Sequence, residues 1–77
     1  MKGQMILVEW EDIMSWTGWN QELIDNNEDE PEVFKTIGFV VRETPHKLTI
    51  TDTYPQIGNV VVFPKGCIKK ITKLTQK

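Results

Sequence analysis

Apolar and polar residues alternate along most of the 77-residue chain. A period of two is typical of β-strands that bury one face. In the stretch QMILVEW, Ile6, Val8 and Trp10 fall on the same face, so we expect Trp10 to belong to the core. In KLTITDT, Leu48 and Ile50 alternate with lysine and threonine, a pattern that favours a strand. The two stretches predict separate strands of one sheet.

The stretch FKTIGFVVRE predicts a longer strand between these two. It places Ile37, Phe39 and Val41 on one face and is long enough to bend. Gly38 lies in its middle, where a glycine weakens a strand unless the backbone needs it. We therefore expect a bulge, a sharp bend or a close backbone approach at Gly38.

Two more strands follow near the C-terminus. The apolar run NVVVF predicts the fourth strand, and the proline after it ends the ladder. The stretch PKGC predicts one tight turn of 3₁₀ type. In the last strand, IKKITKL, we expect Cys67 and Ile71 on one face and Ile68 and Leu74 on the other.

The sequence predicts little helix. Asn20 is placed to cap the short segment QELID, with Leu23 and Ile24 turned inward. The predicted fold is mostly β, a single domain over residues 1–77 with an acidic insertion at about 20–33, helical or irregular, after the first strand. Five short strands around a small core favour a strongly bent sheet closed into a barrel, which removes exposed edges.

Two parts of the chain resemble known groups of proteins. The C-terminal stretch NVVVFPKGCIKKITKL resembles the last two strands of Sm-like and SH3-like small barrels, with their intervening helical turn. VEWEDIMSWTGW, followed by TIGFVV and that ending, resembles a group of small phage and prophage proteins over residues 5–74. The resemblance implies an accessory or anti-defence role in infection. Sm proteins carry their helix before the first strand, whereas this chain predicts it after that strand.

Charge is divided between the two halves of the chain. Residues 1–34 contain nine acidic residues and one lysine, and residues 35–77 contain eight basic and two acidic residues. The acidic loop 22–32 and the basic tail are either solvated surfaces, or the basic face attracts an anion or the acidic loop of a neighbouring subunit. The single cysteine excludes an intrachain disulfide. No apolar stretch reaches a membrane span of about 20 residues, so we expect a cytoplasmic protein, in the host cell if phage-encoded.

Catalytic and metal sites find little support in the sequence. Cys67 and His46 are the one nucleophile and base pair available, and we interpret them as a small buried thiol and a solvated turn histidine. Asp25, Asn27 and Asp29 have the spacing of a calcium loop, but the glycine and the bidentate glutamate that such a loop needs are missing. We expect no enzyme activity, no cofactor and no metal.

Binding remains as the predicted activity. Aromatic side chains can stack on bases while cations neutralise phosphate. Aromatic residues in predicted loops and basic residues of the C-terminal half supply both, and the predicted ligand-binding set is Trp16, Trp19, Arg42, Tyr54, Lys65, Lys69 and Lys70. The two tryptophans would otherwise cover the open end of the barrel.

Three functions follow from this set. The first is capture of a nucleotide or oligonucleotide in a pocket at a homo-oligomer interface. The alternative is an adaptor or inhibitor that binds a host protein, because SH3-like barrels present aromatic loops to peptides. The third is binding of single-stranded RNA in the manner of Sm proteins, with a steep dependence on salt.

Overall fold

A computed structural model describes residues 1–12, 18–27 and 29–75 of the chain. Its elements, in chain order, are β1 (Met5–Glu11), α1 (Gln21–Asp25), β2 (Val33–Glu43), β3 (Lys47–Thr51), β4 (Val60–Pro64), the 3₁₀ turn η1 (Lys65–Cys67) and β5 (Ile68–Lys73). The prediction of a mostly β fold with five strands, one short helix and a 3₁₀ turn is confirmed.

All five strands form one antiparallel sheet in the order β4-β3-β2-β1-β5. Strands β1 to β4 follow one another as neighbours, and β5 pairs with the free side of β1. The five strands therefore form an open sheet whose two edge strands are β4 and β5.

The sheet is strongly curled. Trp10 on β1 and Phe63 on β4 have ring centroids 5.3 Å apart, although two strands lie between them in the sheet. In a flat sheet, strands three positions apart would be separated by about 14 Å. The Trp10 ring also lies 5.1 Å from that of Phe34. The inner face therefore bends round until the end of β4 meets the end of β1.

The core occupies the concave face. Its fully buried apolar residues are Ile6, Val8, Val40, Leu48, Ile50 and Phe63, and Trp10, Ile68 and Ile71 pack against them. Trp10 is thus a core residue, as the alternation of β1 predicts.

Gly38 provides the predicted close approach. A Cβ atom at Gly38 would lie 2.8 Å from the Ile50 Cδ1 atom and 2.9 Å from the Thr51 carbonyl oxygen. Gly38 and Val40 face the core, whereas Ile37 on the other face is 62% exposed. The apolar group Ile37, Phe39 and Val41 therefore does not form the buried face of β2. A bulge after Val40 then shifts the pairing of β2 with β3.

A second bulge changes the faces of β5. Glu9 pairs with Lys70 and Trp10 with Ile68, so Lys69 is an extra residue between two rungs. Ile68 and Ile71 both reach the core as a result. The prediction that Ile68 and Ile71 lie on opposite faces is wrong, because strict alternation does not allow for the inserted residue.

The segment around α1 contributes no buried residue among those described between β1 and β2. Asn20 precedes α1 as expected, but its side-chain amide donates to the Gly18 carbonyl instead of capping the helix. Ile24 is about half exposed, so the prediction that it turns inward is wrong. In the described part of the chain, no helix is long and apolar enough to span a membrane.

Candidate binding pocket and its neighbouring strand edge

A concave pocket of about 240 Å³ lies where the curled sheet brings β4 towards the end of β1. One wall consists of the β4 residues 61–64, and Trp10 and Cys67 line it as well. Glu11 and Asp12, which follow Trp10, also line the pocket. The pocket thus combines a mostly apolar surface with two carboxylates.

The indole of Trp10 is held by its neighbours. Its Nε1 atom donates a hydrogen bond to the Thr36 hydroxyl, 2.9 Å away, and its ring lies against Phe34 and Phe63. An indole that packs against a core usually needs a partner for its N–H group, and Thr36 supplies it to the partly buried Trp10 from the adjacent strand. The pocket wall is therefore fixed in orientation before any ligand arrives.

The β4 edge borders the pocket directly. Val60, Val61 and Val62 are 48%, 43% and 53% exposed, although three consecutive valines are typical of a strand covered on both faces. The Asp52 amide donates to the Asn59 carbonyl, and the Lys65 amide donates to the His46 carbonyl. Because the ladder alternates, the backbone groups of Val60 and Val62 point away from β3.

A network of hydrogen bonds holds the loop before β4. The Asp52 carboxylate accepts from the Asn59 amide at 2.9 Å, from the Asn59 side chain at 2.9 Å and from the Thr53 hydroxyl at 3.0 Å. These hydrogen bonds, led by that from Asn59, lower the pKa of Asp52. A Cβ atom at Gly58 would overlap the Asp52 carboxylate, so glycine is needed there. The loop therefore fixes the position at which β4 begins.

Two of the predicted phosphate-binding lysines are engaged in ion pairs. Lys65 pairs with Glu43, and its hydrogen bond lowers the pKa of that carboxyl. The Lys69 Nζ atom lies 3.2 Å from a Glu11 carboxylate oxygen. These pairs tie η1 to β2 and β5 to β1.

The other predicted site residues lie in several places. Tyr54 stacks on Phe39 with ring centroids 6.1 Å apart, beside the Met5 end of β1. Lys69 binds Glu11 at the other end of β1, about 20 Å along the strand. The described members of the basic and aromatic set therefore do not gather around one centre.

Arg42 and Lys70 are exposed, at the end of β2 and on β5. Trp19 is fully exposed before α1. Trp16 lies outside the described residues.

The possible catalytic pair has ordinary surroundings. His46 is exposed in the turn between β2 and β3, and Cys67 is half-buried in η1. Within the described ranges, no group of three or more His, Cys, Asp or Glu residues is arranged to hold a metal ion.

The sequence reasoning missed the valines of β4 as candidate functional residues. Their signal was present as NVVVF, a run that does not alternate at the point where the rest of the chain does. A continuous apolar run indicates a strand that is covered on both faces. In the folded chain, that run lies at an open edge.

Comparisons with known proteins return no match: no family model, no curated protein and no solved structure is significantly similar to the chain. The class that the structure itself defines is a small, mostly β protein with one curled five-stranded sheet.

Proposed function

We propose that this chain is a non-catalytic protein-binding module that holds a short segment of another protein in the pocket between β1, β4 and η1. The observation that carries the proposal is the apolar pocket of about 240 Å³, with Glu11 and Asp12 in its lining. Concave apolar sites with a few polar groups are typical of ligand sites.

The pocket chemistry defines the segment that it suits. An apolar side chain would contact the β4 wall and Trp10, and a neighbouring lysine or arginine would lie near Asp12 and near Glu11, which it would share with Lys69. A phosphate group would meet these same carboxylates unfavourably. The geometry therefore favours a peptide with an apolar residue beside a basic one.

A Sm-like or SH3-like small barrel is the finer fold that we propose for the module. Its support is the strand order β4-β3-β2-β1-β5, the 3₁₀ turn between β4 and β5, and the contact between Trp10 and Phe63 across the curled sheet. In such a fold, the binding pocket lies at the mouth between the curled ends.

Selection from a library of random peptides displayed on phage tests the proposed function. We expect selected peptides to share an apolar residue next to lysine or arginine and to bind more weakly as salt rises. Cys67→Arg should abolish their binding by filling the pocket with a cation, and Glu11→Gln should weaken it. Ile57→Arg, which alters an exposed apolar residue of the loop before β4, is the matched control and should bind normally.

Circular dichroism and thermal unfolding establish that each variant is folded. Peptides that bind folded Cys67→Arg as well as the wild type would refute the pocket as the site. A selection that yields no common pattern would refute the proposed ligand chemistry.

Nucleotide or oligonucleotide capture is the second candidate function. The observation that favours it is the fully exposed indole of Trp19, which is available for stacking. Native mass spectrometry of gently desalted protein would detect a retained nucleotide-sized adduct. Titration with nucleotides should then quench tryptophan fluorescence, and Trp19→Leu should lose about five- to 150-fold in affinity, which corresponds to about 1–3 kcal/mol per stacked base.

A further inference from the structure

We infer that the exposed edge of β4 pairs with β4 of a second copy of this chain, in an antiparallel arrangement around a two-fold axis at Val61. The inference concerns the open edge and stands independently of the peptide pocket. It starts from the outward backbone groups of Val60 and Val62 and from the three consecutive exposed valines.

The side chains of β4 indicate what an incoming strand must offer. Val61 lies opposite Ile50 on the inner face, whereas Val60 and Val62 lie opposite Thr51 and Thr49 on the outer face. An incoming strand would therefore meet apolar side chains on both faces. The run Val60–Val62 is itself apolar on both faces, so β4 is complementary to itself.

Charge also favours a copy of β4 over a copy of β5. The strand β4 carries no charged residue, so two copies can approach without repulsion. The other edge carries the exposed Lys69, Lys70 and Lys73. Two β5 edges would place lysines near lysines, which disfavours their pairing.

The register follows from the outward groups. Centred on Val61, the pairing sets Val60 of each copy opposite Val62 of the other, so all four of these residues exchange N–H and C=O groups. Centred on Val62, it would set Val60 opposite Pro64, which has no N–H to donate. Centred on Val60, it would set Val62 opposite Gly58, outside the strand.

This register places Val61 opposite its own copy. It joins the two sheets edge to edge with their concave faces on the same side, because the two-fold axis is perpendicular to the sheet at the junction. The pockets, each lined by residues 61–64, then lie on one side of the dimer and on either side of the axis.

Sedimentation velocity of the full chain over a dilution series tests the pairing. We expect the wild type to be a dimer that dissociates on dilution. Val60→Pro removes an outward N–H from each copy without touching the ladder to β3 and lies outside the pocket lining, so it should weaken the dimer by about tenfold or more. Ile37→Lys, which changes an exposed apolar residue on the central strand β2, is the matched control and should leave the dimer intact.

A charge-complementation experiment tests the axis itself. Val61→Lys and Val61→Glu should each be monomeric, because the new charge faces its own copy. An equal mixture of the two should recover a dimer that contains one chain of each, detected by native mass spectrometry. Circular dichroism confirms that each variant is folded.

Three results would overturn the inference: a wild type that is monomeric throughout the series, a closed oligomer larger than two, or a mixture that does not recover the dimer. These outcomes are separable from failure of the peptide pocket. Cys67→Arg should remain dimeric, whereas Val60→Pro, which lies outside the pocket lining, should lose the dimer and still bind the selected peptides.

Discussion

Strands β4 and β5 are the two edges of the sheet, and their exposed side chains differ in kind. Three lysines of β5 are exposed, whereas three valines of β4 are about half exposed. Lysine side chains hinder the pairing of an edge with another strand, and apolar side chains do not. The comparison teaches that only one edge is protected against pairing, so the other is where the chain is expected to meet a partner.

The largest expected effect is the difference in the free energy of unfolding between substitutions on the inner and on the outer face of β4. Phe63 is 3% exposed and contacts Trp10, so Phe63→Ala should lower the free energy of unfolding by about 3–5 kcal/mol. Val60→Ala, on the outer face, should change it by less than about 0.5 kcal/mol in the monomer. Urea unfolding followed by tryptophan fluorescence at low protein concentration measures both. Equal effects would mean that β4 has no inner face of its own.

Two glycine substitutions test the close approach of β2 and β3 in the curled sheet. Gly38→Ala would bring a Cβ atom against Ile50 and the Thr51 carbonyl, so we expect a loss of about 1–3 kcal/mol in the free energy of unfolding. Gly66→Ala, in the turn that joins β4 to β5, is the matched control because its Cβ would have no neighbour within 4 Å. Urea unfolding of both variants is the measurement. A tolerated Gly38→Ala would contradict the close approach of β2 and β3.

The edges also show how far the sequence predicts this fold. Alternation identified the buried faces of β1 and β3, because Ile6, Val8, Leu48 and Ile50 follow a strict period of two. It failed where one residue is inserted, as at Lys69 in β5, since a bulge depends on the neighbouring strand and leaves no local signal. In β2 the alternation is uninterrupted from residue 33 to Val40, but the buried face there is marked only by Val40 and by Gly38, which has no apolar side chain, so the pattern favoured the wrong face.

The candidate site was harder to predict than the fold. Their basic character predicts a ligand-binding role for the lysines, but Lys65 and Lys69 form ion pairs with carboxylates that are distant in sequence. The pocket arises from the curl that joins the ends of β1 and β4, a long-range contact that no short motif encodes. The run of three valines was visible, but its exposure depends on β4 being an edge.

Replacing the lysines of β5 would remove the difference between the two edges. Lys70→Val with Lys73→Val should change the free energy of unfolding of the monomer by less than about 1 kcal/mol, because both side chains are exposed. The variant should nevertheless form species larger than the wild type, since β5 would keep only one of its three lysines. Light scattering after size-exclusion chromatography detects such species. Lys47→Val, at the start of β3, is the control for loss of positive charge alone, and an unchanged size of the double variant would show that lysines do not protect β5.

The smallest expected effect concerns the ion pair at the end of β4. The hydrogen bond and the charge of Lys65 lower the pKa of Glu43, so its folded-state pKa lies below the unfolded one. The stabilisation is therefore present above the usual carboxyl pKa and is lost as pH falls through the lowered value. At pH 6 the urea concentration at the unfolding midpoint should be slightly higher for the wild type than for Lys65→Met. This difference should vanish near pH 2. Asp52 titrates in both proteins, so its contribution cancels in the difference between them. Lys70→Met, on the β5 edge and outside both ion pairs, is the control and should have the same midpoint as the wild type at every pH. A difference between wild type and Lys65→Met that persists at low pH would mean that the Lys65 side chain stabilises η1 by packing and not by its charge.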